Sequence, residues 1–326
     1  MSSIKEVAHL AGVSTATVSR MMANKSYVSD DTRARVQAAI DELNYQPNRV
    51  AQRLREQQSR ILGLIVSDIQ NPFFSELARS VEKFAQGRGY SVFICNTDED
   101  GAQEQRYLDL MQQEKVAGLI ISPTRQVAKR LERLAKSNLP IVTIDRQVDS
   151  SFDAVLIDNE DAALRLTERV IASGYQRIAG IFGHLSFTAE ERLAGFRKAL
   201  EAHGMQPHSM LRTPAFENEG YSAMESLLCA SGPPDAVVCS SALLATGAYQ
   251  AVKAAGLELP EAFGFACFDD PAWARCVSPR VTVIRQPTKL IGESAAELLF
   301  KRVENGQRSA SLIRLQGELV ERESLR

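Results

Sequence analysis

Apolar residues recur at helical spacing over the first 45 positions and then gather into short unbroken runs, so the chain predicts two differently built parts. Ile4, Val7, Ala8, Leu10 and Ala11 place an apolar stripe on a helix of two turns. Gly12 and Val13 supply a turn, and Ser14 caps a second helix from Thr15 to Met22 whose inward side carries Val18, Met21 and Met22. A third helix follows Ser29-Asp30-Asp31 and runs through Val36, Ile40 and Leu43. Two short helices around a glycine-containing turn form the helix-turn-helix pattern. Pro47, in Tyr45-Gln46-Pro47-Asn48, cannot continue the third helix. The segment Arg49–Arg55 is too short and too basic to be helical alone, and Leu54 is its one large apolar residue.

From Ile61 the period changes. Ile61–Val66, Ser91–Cys95, Ala117–Ile121 and Ile141–Ile144 read as buried strands, with helical spacing from Pro72 to Gly87 and over 101–115 and 127–136. The pattern restarts after Asp158, with helices over 160–172, 189–203 and 243–255 and strands at Ile178–Phe182, Ala236–Cys239 and Phe265–Phe268. Alternating strands and helices predict two α/β lobes, and open α/β sheets bind ligands beyond the carboxyl ends of their strands.

Composition narrows the class. The 326 residues are 44% apolar and 24% charged, ordinary for a globular protein. The net charge of -2 conceals an asymmetry: residues 1–60 hold nine Lys and Arg against six acids, and the remainder 29 against 34. A basic head on an acidic body suits a head that meets phosphates. The five cysteines form no C-x-x-C pair, and the four of them in or beside apolar runs predict small buried hydrophobes in a reducing compartment. No signal-like apolar stretch opens the chain and no membrane-length run follows, so a cytoplasmic protein is expected. His9, His184, His203 and His208 lack metal-ligand spacing, and no nucleophile-elbow, zinc-protease or phosphate-loop motif occurs, so neither an enzyme nor a cofactor is expected.

Small or hydrogen-bonding residues on the second helix, Thr15, Ala16, Thr17, Ser19 and Arg20, allow close approach to base edges and phosphates. The run from Ile4 to Arg20 and the segment from Asn44 to Ala51 together resemble the lactose/galactose repressor family over essentially the whole chain. The fold implied is an all-α helix-turn-helix headpiece with a hinge helix, followed by a two-lobed α/β sensor like the periplasmic binding proteins, with three chain crossings between lobes. The expected boundaries are 1–46 for the headpiece, 47–59 for hinge helix and linker, and 60–326 for effector binding and dimerisation. The resemblance implies a homodimer on near-palindromic operator DNA, with Thr15, Ala16, Thr17, Arg20, Asn48, Arg49 and Arg55 at the DNA and Leu54 wedged from the minor groove. A last strand candidate lies close to the end of the sequence, so the extra helix that makes some family members tetramers is not expected.

Strand ends carry the candidate effector chemistry. Asp68, Asp145-Arg146 and Asp269 each stop an apolar run, in positions where such residues also cap helices or form salt bridges between lobes. By resemblance, Phe73, Phe74, Ser186, Thr188, Arg192, Phe216, Asp269 and Gln286 face the ligand, with Arg146 a weaker candidate. Ser241-Ala242 stands where the family has Asn-Asp, which leaves less negative charge at that edge. Trp273, the only tryptophan, either closes the crevice or fills the space between the lobes. The run Phe268–Trp273 resembles the ketogluconate-responsive branch, which implies a sugar acid such as 2-ketogluconate as effector; a neutral or phosphorylated sugar is the alternative. A sugar-binding protein without a regulatory role is the rival class.

Overall fold

The computed structural model describes residues 3–22, 28–45, 59–124, 127–136, 138–184, 186–306 and 308–326. The chain divides into two compact units, Met1–Ser59 and Arg60–Arg326.

In the first unit, α1 (Ile4–Leu10), α2 (Thr15–Met22) and α3 (Asp30–Glu42) enclose a small core of Val7, Ala8, Ala11, Val18, Val36 and Ala39. Ser3 and Glu6 form a reciprocal capping box on α1. Gly12 adopts a φ of 63°, the left-handed conformation that turns the chain sharply from α1 into α2. Ser14 Oγ then accepts from the backbone N–H of Thr17 at 3.1 Å, as the sequence predicts. Leu10 departs from expectation: it is 46% exposed, because it lies round the helix from the stripe that Val7, Ala8 and Ala11 define. Asn48, Arg49, Leu54 and Arg55 lie outside the described residues.

The second unit is built from two α/β lobes. The first contains β1 (Ile61–Val66), α4 (Pro72–Gln86), β2 (Ser91–Asn96), α5 (Gly101–Gln113), β3 (Gly118–Ile121), α6 (Ala128–Lys136), β4 (Ile141–Ile144) and β5 (Asp153–Ile157). The second contains α7 (Asn159–Ala172), β6 (Ile178–Gly183), α8 (Phe187–Ala202), β7 (Ser209–Thr213), α9 (Glu217–Leu228), β8 (Ala236–Cys239), α10 (Ala242–Ala254), β9 (Gly264–Phe268), α11 (Ala272–Cys276) and β10 (Thr282–Arg285). The chain then returns to the first lobe as α12 (Thr288–Glu304) and β11 (Leu312–Leu315), and ends in the second with β12 (Glu318–Val320).

The sheet orders are β11-β5-β4-β3-β1-β2 and β12-β10-β9-β8-β6-β7. Every pairing is parallel except β10 with β12. Swapping of β11 and β12 makes three crossings between lobes, after β5, after β10 and after β11. β1, β3, β4, β6, β8 and β9 are buried along their whole length, the mark of parallel strands covered on both faces. In the first lobe α4 and α12 cover one face, with Leu77, Val81, Ile291, Ala295 and Leu299 in a common core. Helices α9 and α10 approach most closely at Gly247, where a Cβ would meet the Glu217 carbonyl oxygen at 1.8 Å.

Cys95, Cys239 and Cys267 are buried, whereas Cys229 and Cys276 are exposed. Among the described residues no helix is long and apolar enough to cross a membrane.

Candidate functional site

Parallel strands of both sheets aim their carboxyl ends at the same space, a cleft between the lobes of the second unit with about 830 Å³ of open volume. Its walls follow directly from the strand order. The first lobe contributes Ser67 and Asp68 after β1, Asp98 and Glu99 after β2, and Asp145 and Arg146 after β4. The second contributes His184 after β6, Phe216 after β7, Ser241 after β8, Asp269 after β9 and Gln286 after β10. Helix α4 brings Phe73 and Phe74, because Pro72 starts it and Asn71 Oδ1 caps it at Phe73 N, 3.0 Å away. Their rings meet edge to face at a centroid distance of 4.8 Å and form an apolar wall.

Arg192 projects from α8 and is buried. Its Nε donates to Asn159 Oδ1 at 2.8 Å and its Nη1 to the Ser240 carbonyl at 2.6 Å. The guanidinium lies over the Phe268 ring, 4.1 Å from its centroid. Two neutral acceptors and a ring face therefore fix the plane of the fork, and Nη2 makes no hydrogen bond among the described residues. Burial pulls its pKa below the ordinary arginine value, a loss that Asp269 and Asp145 oppose by attraction.

Asp145 and Asp269 occupy matching places, each directly after the fourth strand of its lobe, and each adopts a left-handed backbone, with φ of 64° and 69°. Both turns lift a carboxylate off the end of its sheet. Asp269 Oδ2 accepts from Ala242 N at 3.0 Å and Oδ1 from Gln286 Nε2 at 2.6 Å. It thereby ties the start of α10 to the second crossing between lobes. Burial pushes the Asp145 carboxyl above its ordinary range, and Arg146 and Arg192 offset only part of this. Asp68 is raised chiefly by burial too, against the hydrogen bonds it accepts.

Arg146 is spoken for. Its Nη1 donates to Glu99 Oε2 at 2.7 Å, its Nη2 to Glu99 Oε1, its Nε to Asp145 Oδ2 at 3.1 Å, and Nη1 also reaches the Pro123 carbonyl. Burial opposes its charge, but the flanking Glu99 and Asp145 carboxylates outweigh that and hold its pKa above the ordinary value. The cleft lining thus holds five carboxylates, Asp68, Asp98, Glu99, Asp145 and Asp269, against two guanidiniums, one of them already paired with carboxylates.

Of the residues singled out by sequence, Phe73, Phe74, Arg146, Ser186, Thr188, Arg192, Phe216, Ser241, Asp269 and Gln286 all line the cleft. Trp273 is the correction. It lies on α11 outside the cleft lining, donates from Nε1 to Thr246 Oγ1 at 2.8 Å, and packs on Tyr249 at a centroid distance of 5.0 Å. Half-buried, it packs against the core of the second lobe, because α11 is short and turns the indole back onto α10. Sequence reasoning missed Asp98 and Glu99. They lie a few residues after a predicted strand, close to the kind of position that flagged Asp68, Asp145 and Asp269, but the acidic run also reads as the cap of the next helix.

In the first unit, Thr15, Ala16 and Arg20 are exposed on α2, and Thr17 is half-buried with its N–H bonded to Ser14. That helix presents small side chains at its N-terminal end and one guanidinium near its C-terminal end.

Comparison with known proteins agrees with both units. Residues 3–48 match the model for bacterial regulatory proteins of the lacI family, and residues 59–323 match that for periplasmic binding proteins and the sugar-binding domain of the LacI family. The ribose operon repressor of Halalkalibacterium halodurans is 35% identical over 325 residues, covering 99% of this chain and 97% of its own. The HTH-type transcriptional repressor PurR of Aliivibrio salmonicida is 32% identical over 330 residues, covering 100% of this chain and 99% of its own. Among solved structures, the Lac repressor dimer bound to operator and the anti-inducer ONPF superposes with a TM-score of 0.90 at 30% identity, covering 99% of this chain and 98% of that one.

Proposed function

Because this chain belongs to the LacI family of bacterial regulatory proteins, we propose that it is a DNA-binding transcriptional repressor governed by a small polyhydroxylated ligand. Residues 1–46 serve as the DNA-binding headpiece, 47–59 as hinge helix and linker, and 60–326 as the ligand-binding and dimerising part. Thr15, Ala16, Thr17 and Arg20 on α2 meet base edges and phosphates, joined by Asn48, Arg49, Leu54 and Arg55 from the hinge. Such a protein works in the cytoplasm, where its DNA is, and no catalytic step is proposed for it.

The observation that carries the ligand class is the presence of both Arg192 and Asp269 in a cleft walled by Phe73, Phe74 and Phe216. A guanidinium donates to hydroxyl oxygens, a carboxylate accepts from hydroxyl protons, and aromatic faces cover the C–H side of a sugar ring. The five carboxylates of the lining favour an uncharged ligand, and the ribose operon repressor among the relatives points the same way. A neutral sugar of monosaccharide size is therefore the first reading. The unengaged Nη2 of Arg192 favours one alternative, a sugar acid such as 2-ketogluconate seated with its carboxylate on that nitrogen.

The reading includes a homodimer on a near-palindromic operator, which the family and the edge of the first sheet support. Strand β2 ends that sheet and leaves Phe93 and Ile94 38% and 47% exposed. Apolar edges of this kind are covered in a stable protein.

Thermal shift against neutral sugars, sugar acids and sugar phosphates, followed by calorimetric titration, tests the ligand class, since a ligand of the folded state raises apparent stability. A neutral pentose or hexose should bind most tightly. Tighter binding of an acid would reverse the order of the two readings, and binding by no sugar or sugar derivative would remove the ligand class altogether.

A further inference from the structure

We propose that Glu99 is the residue that makes the cleft reject anionic ligands, by occupying the fork of Arg146 that would otherwise receive them. The inference rests on the reading of the cleft as a sugar site and assigns the origin of its charge preference.

Glu99 is placed for this role by its loop. Asp98 and Glu99 both adopt left-handed backbone, with φ of 51° and 59°. Two consecutive non-glycine residues in that region persist only when the surroundings fix them. Each flank is fixed. Asn96 Oδ1 accepts from Ile69 N at 2.8 Å, and Asn96 Nδ2 donates to Asp98 Oδ1 at 2.6 Å. Thr97 N donates to the Val66 carbonyl at 2.9 Å. On the far side Asp100 caps α5, accepting from Ala102 N at 2.8 Å. The double turn between these anchors sends the Glu99 side chain across to β4, where it meets Arg146 in a two-pronged ion pair.

The consequence is a matter of charge balance in a confined space. Arg146 is 3% exposed at its side chain and spends Nε on Asp145, Nη1 on Glu99 and Pro123, and Nη2 on Glu99. A carboxylate arriving from solvent finds the two-pronged face of that fork taken by Glu99, with a single Nη2 N–H left over, and it meets the Glu99 carboxylate, which lines the cleft and retains 24% exposure. Discrimination of this sort comes from a repulsive group as much as from attractive ones. Arg192, by contrast, rests on the neutral oxygens of Asn159 and Ser240. The cleft therefore contains one guanidinium open to a ligand and one closed by Glu99.

The test uses the full chain and matched ligand pairs, D-ribose with D-ribonate and D-glucose with D-gluconate. Calorimetry gives the affinity ratio of each neutral sugar to its acid in the wild type, in Glu99→Gln, in Arg146→Met and in the double variant, with thermal melts to establish folding. Glu99→Gln should lower the ratio by about tenfold or more, the effect of one charge interaction at the wall of the cleft. Arg146→Met alone, which leaves Glu99 uncompensated, should raise it. The double variant should lose the gain of Glu99→Gln, because the freed fork is gone. A merely structural role for Glu99 would weaken both members of a pair together and leave the ratio where it was. An unchanged ratio in folded Glu99→Gln overturns the proposal, as does an equal fall in the double variant. Should Glu99→Gln fail to fold, a ratio in Arg146→Met that stays level or falls overturns it instead. A wild type that binds none of the four compounds overturns the sugar reading itself, and this proposal with it.

Discussion

Replacing Arg192 by lysine keeps the charge and removes the fork, so it separates geometry from electrostatics at the centre of the cleft. In the native chain the guanidinium satisfies Asn159 Oδ1 at 2.8 Å and the Ser240 carbonyl at 2.6 Å, and stacks on Phe268. A lysine ammonium is a point donor and cannot reach both acceptors while also facing a ligand. If it stays with Ser240, Asn159 Oδ1 is left without a donor, although Asn159 Nδ2 still reaches Glu191 at 2.8 Å. One buried acceptor without a partner costs about 1–3 kcal/mol, and the lost ring stacking adds roughly 1 kcal/mol. A sugar that had received a charged donor loses about 1.5–3 kcal/mol of binding, or roughly ten- to a hundredfold in affinity. Urea denaturation reports the first quantity. Titration with whichever sugar most raises the wild-type melting temperature reports the second. If Arg192→Lys binds that sugar within about twofold of wild type, a difference near 0.4 kcal/mol, then the fork does not touch the ligand and the assignment of Arg192 is wrong.

Three further substitutions probe what surrounds the cleft. Trp273→Phe removes the bond to Thr246 Oγ1 and should cost about 1 kcal/mol of stability while leaving sugar affinity unchanged; a large affinity loss would return Trp273 to the ligand. Gly247→Ala drives a methyl group into the Glu217 carbonyl and should destabilise by about 3 kcal/mol, because both neighbours are backbone; a wild-type denaturation midpoint would contradict the α9–α10 contact. Burial raises the Glu104 carboxyl pKa above its ordinary 4.5, against the bonds from Thr124 that lower it. A raised folded pKa gives stability that is full below the unfolded value and is lost as pH rises through the folded one. Glu104→Gln should thus gain on wild type as pH rises above the ordinary 4.5, and a difference independent of pH in urea midpoints would refute the shift.

Much of this arrangement was legible before any coordinates, and the omissions have physical causes. Short unbroken apolar runs such as Ile61–Val66 and Ile178–Gly183, alternating with helical spacing, mark strands covered on both faces, so the parallel sheets were readable from the pattern of apolar positions. Strands β5, β7 and β10 were not predicted. β7 sits at a sheet edge, only partly buried and without the apolar run that betrays a central strand, whereas β5 and β10 are short segments that each end at a crossing between lobes. The cleft was found through its strand-end rule, which brought Asp145 and Asp269 together. The same rule applied to Asp98 and Glu99 would have revealed the partner of Arg146, a pairing between residues 47 positions apart that periodicity cannot show. Trp273 misled because a tryptophan beside a strand end looks like a ligand platform, and only the short turn of α11 directs it inward.

The central claim is that one chain joins sequence-specific DNA binding to sugar occupancy of the cleft. Its most direct test is to select the preferred duplex from a random pool with the full chain, then measure affinity by fluorescence anisotropy with and without the sugar that titration identifies. The account predicts one nearly palindromic sequence bound far more tightly than random duplex, with salt-dependent affinity. It also predicts that the sugar shifts that affinity by a coupling of about 1–3 kcal/mol, roughly 5- to 150-fold. Equal affinity for all duplexes, or a selected sequence whose binding ignores the sugar at saturation, would contradict it.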